Sequence, residues 1–470
     1  MSGLFSTLNA SVQALNAQSQ AIAITGKNLA NVNNTSYARQ RVIFGSRGEI
    51  QTPQGTESLG LEALGVQQLR DNLLDQQVVR QIADTSAATT EQLALQRAQA
   101  GMGETISSAS ATGSTSSSGG IGASIDNFFN AFQSLAAQPT DPGQRQALLQ
   151  NASILVDNFQ QINGNLTQVQ SDLTSQIQGD VSTANTLLQS VADLNNQIGR
   201  AEIGNPGSAV DLRDQRQAKI EQLAAYLPIQ TQAGSNGMTQ VFMKDPSGAN
   251  VTLVNGASVT GPVTFTGTGF TGGAGPSTLA FSTGSLAGEL SVRDGAVQTL
   301  RNNVDALAGQ IVTSVNAAYN PSSTSGGDFF VASGTTAGTI ALTSGLTATS
   351  LQAGTGASGD NSIALAVAAI PNHVFSTTGS PPDLIDGTLD NFYSSTASNL
   401  GQSLSAADTN VTEQTSMQQL VTGQRDAVSG VDLNEEMSNM VTYQRSFQAS
   451  SRVFSIIDNL LDTVVNHLGV

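Results

Sequence analysis

The chain has 470 residues, of which 35 are acidic and 18 basic, giving a formal net charge of −17 at pH 7. This balance argues against a nucleic-acid-binding protein, because such proteins need clustered Lys and Arg to displace phosphate counterions. The chain has no Cys and only two His, which excludes disulfides and Cys-based zinc sites and leaves little material for a His-based metal centre. At about 100–200 residues per domain, the length suggests three domains.

The N-terminal residues do not resemble a cleavable secretion signal. The first twenty residues, MSGLFSTLNASVQALNAQSQ, have neither a basic start nor a continuous apolar stretch. No window approaches 18 consecutive apolar residues, so we expect no membrane insertion. These features fit a cytoplasmic protein or one exported without a cleaved signal, and composition does not choose between the two.

Both ends of the chain carry apolar residues at alternating spacings of three and four, which predicts helices with one narrow apolar stripe. The N-terminal stripe consists of Phe5, Leu8, Val12, Leu15, Ile22 and Leu29. The C-terminal stripe consists of Met440, Tyr443, Phe447, Phe454, Ile457, Leu461, Val464 and Leu468. A helix with so narrow a stripe is not stable alone in water and must pack on partners. Ordinary coiled-coil packing and two helices of one globular core both satisfy this requirement.

The first part of the chain between these stripes is mainly helical. The polar run 31–36 ends the first helix, and a short alternating segment follows at 41–44. Residues 107–120 contain only Ser, Ala, Thr and Gly and are typical of a flexible linker. Apolar periodicity predicts further helices over 73–101, 121–135, 142–198 and 209–227.

The second part alternates between β-type and helical patterns. Short β-type runs separated by Gly, Asn and Pro occupy 229–283. A helix is predicted over 297–315, a second β-like stretch over 329–371, and helix again from 384 onward.

This order predicts a mainly α fold with a β-rich insertion, in an elongated, nested multidomain chain. The terminal coiled-coil domain would comprise 1–40 plus 431–470. A long-helix bundle would form the middle domain from 41–228 plus 286–325 plus 372–430. A small β-rich outer domain would comprise 229–285, with 326–371 associated with it.

One segment fits the dinucleotide-binding pattern GxGxxG, namely Gly267-Thr268-Gly269-Phe270-Thr271-Gly272. Binding of a pyrophosphate requires that a helix follow the glycines, because the helix N-terminus holds the phosphates. The next residues, Gly273-Ala274-Gly275-Pro276, cannot form that helix. A hairpin or loop is therefore predicted at this place.

The remaining ionisable residues do not form a catalytic pattern. His373 and His467 have no acidic or nucleophilic neighbour in the sequence. Glu435 and Glu436 suit a favourable interaction with a helix dipole at the first turn. The solvated start of another helix accounts for three more acids, Glu202, Asp211 and Asp214. We predict no catalytic residues, no metal and no cofactor, and hence a protein that is not an enzyme.

Two motifs at opposite ends carry a family resemblance. The N-terminal helix runs into Asn28-Leu29-Ala30-Asn31-Val32-Asn33-Asn34-Thr35-Ser36-Tyr37, and the C-terminal part contains Val431-Asp432-Leu433-Asn434-Glu435-Glu436-Met437 followed by Tyr443-Gln444-Arg445-Ser446-Phe447. These segments resemble the signatures of bacterial flagellar rod, hook and hook-associated axial proteins. The motif residues are Asn28, Asn31, Asn33, Tyr37, Leu433, Gln444 and Arg445.

Internal segments resemble the subgroup at the hook–filament junction. These are Met1-Ser2-Gly3-Leu4-Phe5, Asp211-Leu212-Arg213-Asp214-Gln215-Arg216 and Gly327-Asp328-Phe329-Phe330. Gln217 departs from the subgroup pattern, which has an acid there.

The resemblance implies a structural subunit of the flagellum that is exported unfolded through the type III pathway, without a cleaved signal, and assembles outside the cell. It implies that the terminal stripes pack within and between subunits. The implied partners are further copies in a ring or helical layer, the hook protein on one side, the next junction protein on the other, and an export chaperone.

Two alternatives stay open. The chain could be another axial subunit, such as a hook, distal-rod or flagellin-like protein. It could also be a secreted adhesin or enzyme with the β-rich insertion as its working part, although Asp245 and Asp360 stand too isolated to suggest a catalytic pair.

Overall fold

The computed structural model describes residues 2–46, 48–52, 55–58, 60–103, 120–356 and 359–464. The predicted linker at 107–120, apart from Gly120, lies outside these residues, as do His467 and Leu468. Contacts between Cα atoms divide the chain into two compact units. The first unit comprises 1–85, 181–284 and 414–470, and the second comprises 86–180 and 285–413.

The first unit contains both terminal helices, α1 (Ser2–Ala30) and α10 (Leu433–Asp462), which pack against each other. Asn28 near the end of α1 is hydrogen-bonded to Glu436 in the first turn of α10. A Cβ atom placed on Gly26 would lie 3.8 Å from Met440 Cε. Because the position on α10 advances as the position on α1 decreases, the two helices run antiparallel.

A β-hairpin packs against α1 and also reaches α10, where the ring centroid of Phe44 lies 6.2 Å from that of Tyr443. Strand β1 (Gln40–Ser46) pairs antiparallel with β4 (Leu61–Gln68), and both contact α1. The register of this pair shifts between Ile43 and Phe44, which is a β-bulge. The short strands β2 (Glu49–Thr52) and β3 (Gly55–Ser58) pair with each other further along the hairpin. The sequence had indicated only the segment 41–44 of this structure.

The second unit is built from long helices around one apolar core. Its helical elements are α2 (Asn72–Met102), α3 (Ile121–Ala137), α4 (Pro142–Ala201), α6 (Ser285–Ser291), a π-helical turn (Val292–Val297), α7 (Gln298–Tyr319), α8 (Ser362–Ala368), a 3₁₀ turn (Ile370–Asn372) and α9 (Leu389–Ser429). Three of the four boundaries between the two units fall inside α2, α4 and α9, so each of these helices contributes residues to both units; the fourth lies between Gly284 and Ser285, where α6 begins.

Aromatic rings form the centre of this core. The ring of Phe128 lies 5.2 Å from that of Phe132 and 5.7 Å from that of Phe329, measured between centroids. Tyr319 closes the cluster, with its ring 5.2 Å from Phe329. The predicted β-like stretch 329–371 is wrong in this respect: its described residues form turns, one isolated bridge between Phe330 and Leu342, and α8. The apolar residues of this stretch pack into the helical core, which buries them without a sheet.

The β-rich part of the first unit follows α5 (Val210–Ala224). A four-stranded antiparallel sheet contains β5 (Gln230–Ala233), β6 (Thr239–Lys244), β7 (Asn250–Asn255) and β8 (Ser258–Val259) in that order. A smaller sheet contains β9 (Thr264–Phe265), β10 (Phe270–Gly272) and β11 (Ser277–Thr278). The GxGxxG segment forms the turn and second strand of the β9–β10 hairpin, which confirms the hairpin interpretation.

The predicted class, mainly α with a β-rich insertion, is confirmed. The stretch predicted as one long helix or two collinear ones is a single helix, α4, of 60 residues. None of the helices in the described part of the chain combines the length and hydropathy needed to cross a membrane.

Candidate functional site

The predicted N-terminal stripe lies mostly at the edge of the contact between α1 and its neighbours. Phe5 is 55% exposed, while Leu8, Val12, Leu15, Ile22 and Leu29 are half-buried. The fully buried line of α1 consists of small and polar residues, namely Ser11, Ala17, Ala21, Thr25 and Asn28. Small side chains allow α10 and the β1–β4 hairpin to approach the helix backbone closely, whereas larger ones are displaced to the sides.

The predicted C-terminal stripe faces into the fold. Ile457 and Leu461 are buried, and Met440, Tyr443, Phe454 and Val464 are half-buried. Phe447 sits at the margin with 36% exposure, and Leu468 lies outside the described residues. The role of both stripes in packing between subunits stays a prediction.

A second apolar set on α10 was missed at the sequence level. Its members are between 45% and 60% exposed, and we call it the outer face of α10: Leu433, Met437, Val441, Val453, Ile456 and Leu460. The helical spacing of its members, four and four in the first half and three and four in the second, was the signal that could have revealed it. An exposed apolar face of this size on a helix whose inner face is already packed is typical of an interaction surface.

Asn28 joins the two ends of the chain at a buried point. Its Nδ2 donates to the Gln40 carbonyl oxygen at 2.8 Å and to Glu436 Oε2 at 2.9 Å. Its Oδ1 accepts from the Tyr37 hydroxyl at 2.8 Å and from the Gln40 backbone N–H at 3.1 Å. Both donors and both acceptor positions of the amide are therefore used. An Asn side chain, which has two N–H donors and one carbonyl oxygen, therefore suits this position.

Arg39 binds both acids at the start of α10. Its Nε donates to Glu436 Oε1 at 2.7 Å, and its Nη2 donates to Glu435 Oε1 at 2.6 Å. The side chain of Glu436 is only 2% exposed. The predicted first-turn position of the two acids is confirmed, and Asp432 caps the helix by accepting from the Glu435 N–H. Charge-assisted hydrogen bonds of this kind are about twice as strong as neutral ones.

Helix α5 connects to the segment 28–40, which we call the corner segment. Asp211 accepts from Lys27 Nζ at 2.5 Å and from Gln40 Nε2 at 3.1 Å. Partial burial opposes the charge of Asp211, but these hydrogen bonds hold the pKa of its carboxyl below the usual value. The Gln68 side chain donates to the Val210 carbonyl oxygen and ties β4 to the start of α5.

Arg70 forms a buried ionic cluster beneath the corner segment. Its guanidinium donates to Asp75 Oδ2 at 3.0 Å, to Asp214 Oδ1 at 2.6 Å and to the Ser36 carbonyl oxygen at 3.0 Å. Burial raises the pKa of Asp214, and the positive charge of Arg70 only partly offsets this effect. Burial, followed by the charges of Asp214, Asp211 and Glu436, also raises the pKa of the Tyr37 hydroxyl, so it stays a hydrogen-bond donor.

The interpretation of Glu202 and Asp214 as solvated acids is wrong. Asp214 is buried in the Arg70 cluster, and Glu202 is buried with its two oxygens bound by Arg213 at 2.8 and 2.7 Å. The hydrogen bond from Arg213, working against burial, lowers the pKa of Glu202 to about 2. The arginines that bind these acids lie either far away in the sequence or on the next helix. Sequence spacing therefore did not show that the acids are desolvated.

Arg425 of α9 completes the connections to the corner segment. Its guanidinium donates to Glu221 Oε1 at 2.8 Å and to the Thr35 carbonyl oxygen at 2.9 Å. Burial raises the pKa of Glu221, and the charge of Arg425 opposes that rise. Helices α5, α9 and α10 therefore all bind the corner segment through charged side chains.

A groove of about 560 Å³ opens between the corner segment and the α9–α10 connection. Its walls are residues 31–35, 37, 39, 426–428, 430–432 and 435. Of the motif residues, Asn31 donates to the Lys27 carbonyl oxygen at 3.0 Å, and Asn33 is exposed on the groove wall. Leu433, Gln444 and Arg445 lie exposed on α10.

The isolated acids outside this region have local structural roles. Asp245 accepts from the backbone N–H groups of Ser247 and Ala249, and Asp360 accepts from those of Gly356 and Ser362. Each carboxylate thus holds a turn. Within the described ranges, no group of three or more His, Cys, Asp or Glu side chains is arranged to hold a metal ion.

Two family profiles match this chain. Residues 109–330 match the "Flagellar hook-associated protein FlgK helical domain". Residues 422–467 match the "Flagellar basal body rod FlgEFG protein C-terminal". The two matches together include more than half of the chain. The second match contains the last turns of α9 and almost all of α10.

Curated relatives agree along the length of the chain. Flagellar hook-associated protein 1 of Bacillus subtilis is 25% identical, and the match covers 100% of this chain and 99% of that protein. The protein of the same name from Salmonella typhimurium is 27% identical over 69% of this chain, which corresponds to 59% of its own length.

Among solved structures, the flagellar hook junction protein FlgK from Burkholderia pseudomallei is similar at 22% identity with a TM-score of 0.45. That similarity covers 55% of this chain and 46% of the other. The family profiles and the full-length relative confirm the resemblance carried by the terminal motifs. This chain is therefore similar to flagellar hook-associated protein 1 over its full length, and it is a structural component of the bacterial flagellum.

Proposed function

We propose that this chain is a subunit of the junction between the flagellar hook and filament, and that its terminal helices form the contacts between copies. The observation that carries the proposal is the exposed outer face of α10 beside an inner face already packed on α1. Burying one Leu, Ile or Met side chain contributes about 1.5–3 kcal/mol. The six residues of the outer face would stabilise a contact between neighbours that buries them.

The domain organisation follows from this role. Residues 1–40 plus 431–470 would be the assembly domain, because α1, the corner segment and α10 are joined there by Asn28 and Arg39. The bundle (41–228 plus 286–325 plus 372–430) and the β-rich part (229–285 with 326–371) would be its outer extensions. The predicted stripe residues, from Phe5 to Leu29 and from Met440 to Leu468, would complete the packing in the assembled layer.

The partners and location are part of the same proposal. Copies would form a ring or helical layer with the hook protein on one side and the next junction protein on the other. A head-to-tail contact between copies presents different surfaces at its two ends and so allows two different neighbours. The chain would be made in the cytoplasm, held by an export chaperone, and exported through the type III apparatus to the cell exterior. It would act without a cofactor and without catalysis.

The test is genetic and microscopic. In a strain that lacks this gene, we expect hooks without filaments and flagellin shed into the medium, and the wild-type gene should restore attached filaments. Filaments on the hooks of the deletion strain would contradict the junction assignment and favour another axial role.

Variants of the outer face sharpen the test. Ile456→Asp should prevent filament attachment, whereas Ile456→Leu, which keeps an apolar side chain of equal size, should not. Ser455→Asp places the same charge on the neighbouring exposed residue and serves as the matched control. Equal filament numbers for Ile456→Asp and Ser455→Asp would show that the apolar face is not a contact.

A further inference from the structure

The groove beside the corner segment has a definite chemical character. Three acids line it, Asp426, Asp432 and Glu435, against one basic residue, Arg39, whose guanidinium is already bound to Glu435 and Glu436. Asp426 also forms a long ion pair with Arg425 Nε at 3.4 Å, but its side chain stays 46% exposed. Val428 adds an apolar wall that is 52% exposed. A groove that is both negative and partly apolar is complementary to a surface that carries positive charges among apolar side chains.

The outer face of α10 provides such a surface. Arg445 and Arg452 are exposed and seven residues apart, so they project from the same side of the helix two turns apart. Val441 lies one turn before Arg445, and Ile456 lies one turn after Arg452. Within the described residues, neither guanidinium has a hydrogen-bond or ion-pair partner, so their donors are open to a neighbouring molecule.

The two surfaces cannot meet within one chain. Arg445 follows Glu435 by ten residues and Arg452 follows it by seventeen, which at 1.5 Å per residue places them about 15 and 25 Å along α10. Since α10 is one continuous helix from Leu433 to Asp462, it cannot bend back onto the groove at its own start. A second copy displaced along the helix by a similar distance would bring its arginines to the groove.

We propose that the acidic groove of one copy receives Arg445 and Arg452 of the next copy. The proposal rests on the proposed assembly role and names the residues of one subunit contact. Because every copy carries a groove and an arginine pair, the contact repeats head to tail and propagates along a layer. Asp426 and Glu435 would bind the guanidinium groups, while Val428 would pack against Val441 or Ile456 of the neighbour.

A charge-exchange experiment tests the pairing. Asp426→Lys and Arg452→Glu are made separately and together in the chromosomal gene, and the cells that carry attached filaments are counted. We expect each single variant to lower the count about tenfold or more, since one lost charge-assisted contact lowers association by about that factor. The double variant should restore attachment, because each groove then carries the charge opposite to that of the neighbour's helix.

Cysteine cross-linking supplies a direct readout, since the natural chain has no Cys. Val428→Cys combined with Arg445→Cys should give disulfide-linked oligomers in isolated hook–filament complexes after mild oxidation. Val428→Cys combined with Asp458→Cys, on another side of α10, should give none. Circular dichroism of each purified variant establishes that it folds.

The outcomes separate this inference from the proposed function. Attached filaments in every variant, with no cross-linked oligomers, would overturn the groove contact and leave the junction role intact. Loss of attached filaments in both single variants that the double variant does not restore, together with no cross-linked oligomers, would also overturn the groove contact. Failure of the wild-type gene to restore filaments to the deletion strain would instead refute the junction role itself.

Discussion

Asn28 and Glu436 stand 408 positions apart in the sequence, yet their side chains share a buried hydrogen bond of 2.9 Å. This contact joins the end of α1 to the first turn of α10. Arg39 binds the other oxygen of the same carboxylate, so the N-terminal and C-terminal motifs meet at one side chain. The residues that carry the family resemblance at the two ends are thus one structural unit.

The first prediction concerns this connection. Asn28→Ala should lower the free energy of unfolding by about 3 kcal/mol or more, because it leaves the Tyr37 hydroxyl, the Gln40 N–H and the Glu436 carboxylate with lost partners in a buried place. Denaturant unfolding followed by circular dichroism measures the change. Asn33→Ala, at an exposed position of the same motif, should stay within about 0.5 kcal/mol of wild type. Equal midpoints for the two variants would show that Asn28 is not a structural centre.

The second prediction concerns the ionic cluster beneath the corner segment. Arg70→Met should lower the free energy of unfolding by about 3–5 kcal/mol. The substitution keeps the volume of the side chain but leaves the buried carboxylates of Asp75 and Asp214 without their cation. The matched control is Arg41→Met, since Arg41 is exposed and donates to the Gln67 side chain at 3.1 Å. A similar decrease in unfolding free energy in both variants would show that the burial of the Arg70 cluster does not account for the effect.

The third prediction concerns pH and the second unit. Glu289 is completely buried, and burial together with the neighbouring charge of Asp180 raises the pKa of its carboxyl to about 8. Because an ionised Asp180 has only acceptor oxygens, the two carboxyl groups share a hydrogen bond only when a proton is held between them. Gln176 and Arg97 pull the pKa in the opposite direction with smaller effect.

The pH dependence follows from the sign of this shift. The folded pKa lies above the unfolded value of 4.5, so the folded state binds more protons between these values. The stabilisation is complete below pH 4.5 and is lost as the pH rises towards and through 8, by up to about 5 kcal/mol. Glu289→Gln should make the free energy of unfolding less dependent on pH over this window. Above pH 8, the variant should be more stable than wild type. Parallel curves for the two proteins would refute the assignment.

The fourth prediction separates stability from assembly. Phe128→Ala removes a fully buried ring from the aromatic core and should cost about 3–5 kcal/mol in unfolding free energy. Phe5→Ala alters a ring that is more than half exposed and should change stability by less than about 0.5 kcal/mol. If α1 packs against neighbouring copies, Phe5→Ala should nevertheless reduce the fraction of hooks with attached filaments. Unchanged filament numbers would remove Phe5 from the set of packing residues.

The sequence alone determined the helices and the family. Apolar spacing of three and four identified α1, α4 and α10 because side chains at these intervals share one helix face, whatever that face later contacts. The terminal motifs identified the family because they are short, local and placed at both ends. The β1–β4 hairpin was largely missed, since its strands are half-buried on one side only and their alternation is weak.

Only the tertiary structure decided which charged and apolar residues are buried. Asp214 and Glu202 have the sequence context of solvated acids, but packing of the corner segment, α4 and α5 removes them from water and supplies their arginines. The spacing of the outer-face residues of α10 is present in the sequence, but only the packing of α1 on the other stripe decides that this face stays exposed. The net charge of −17 is fixed by composition, whereas the desolvation of individual charges depends on contacts between residues far apart in the chain.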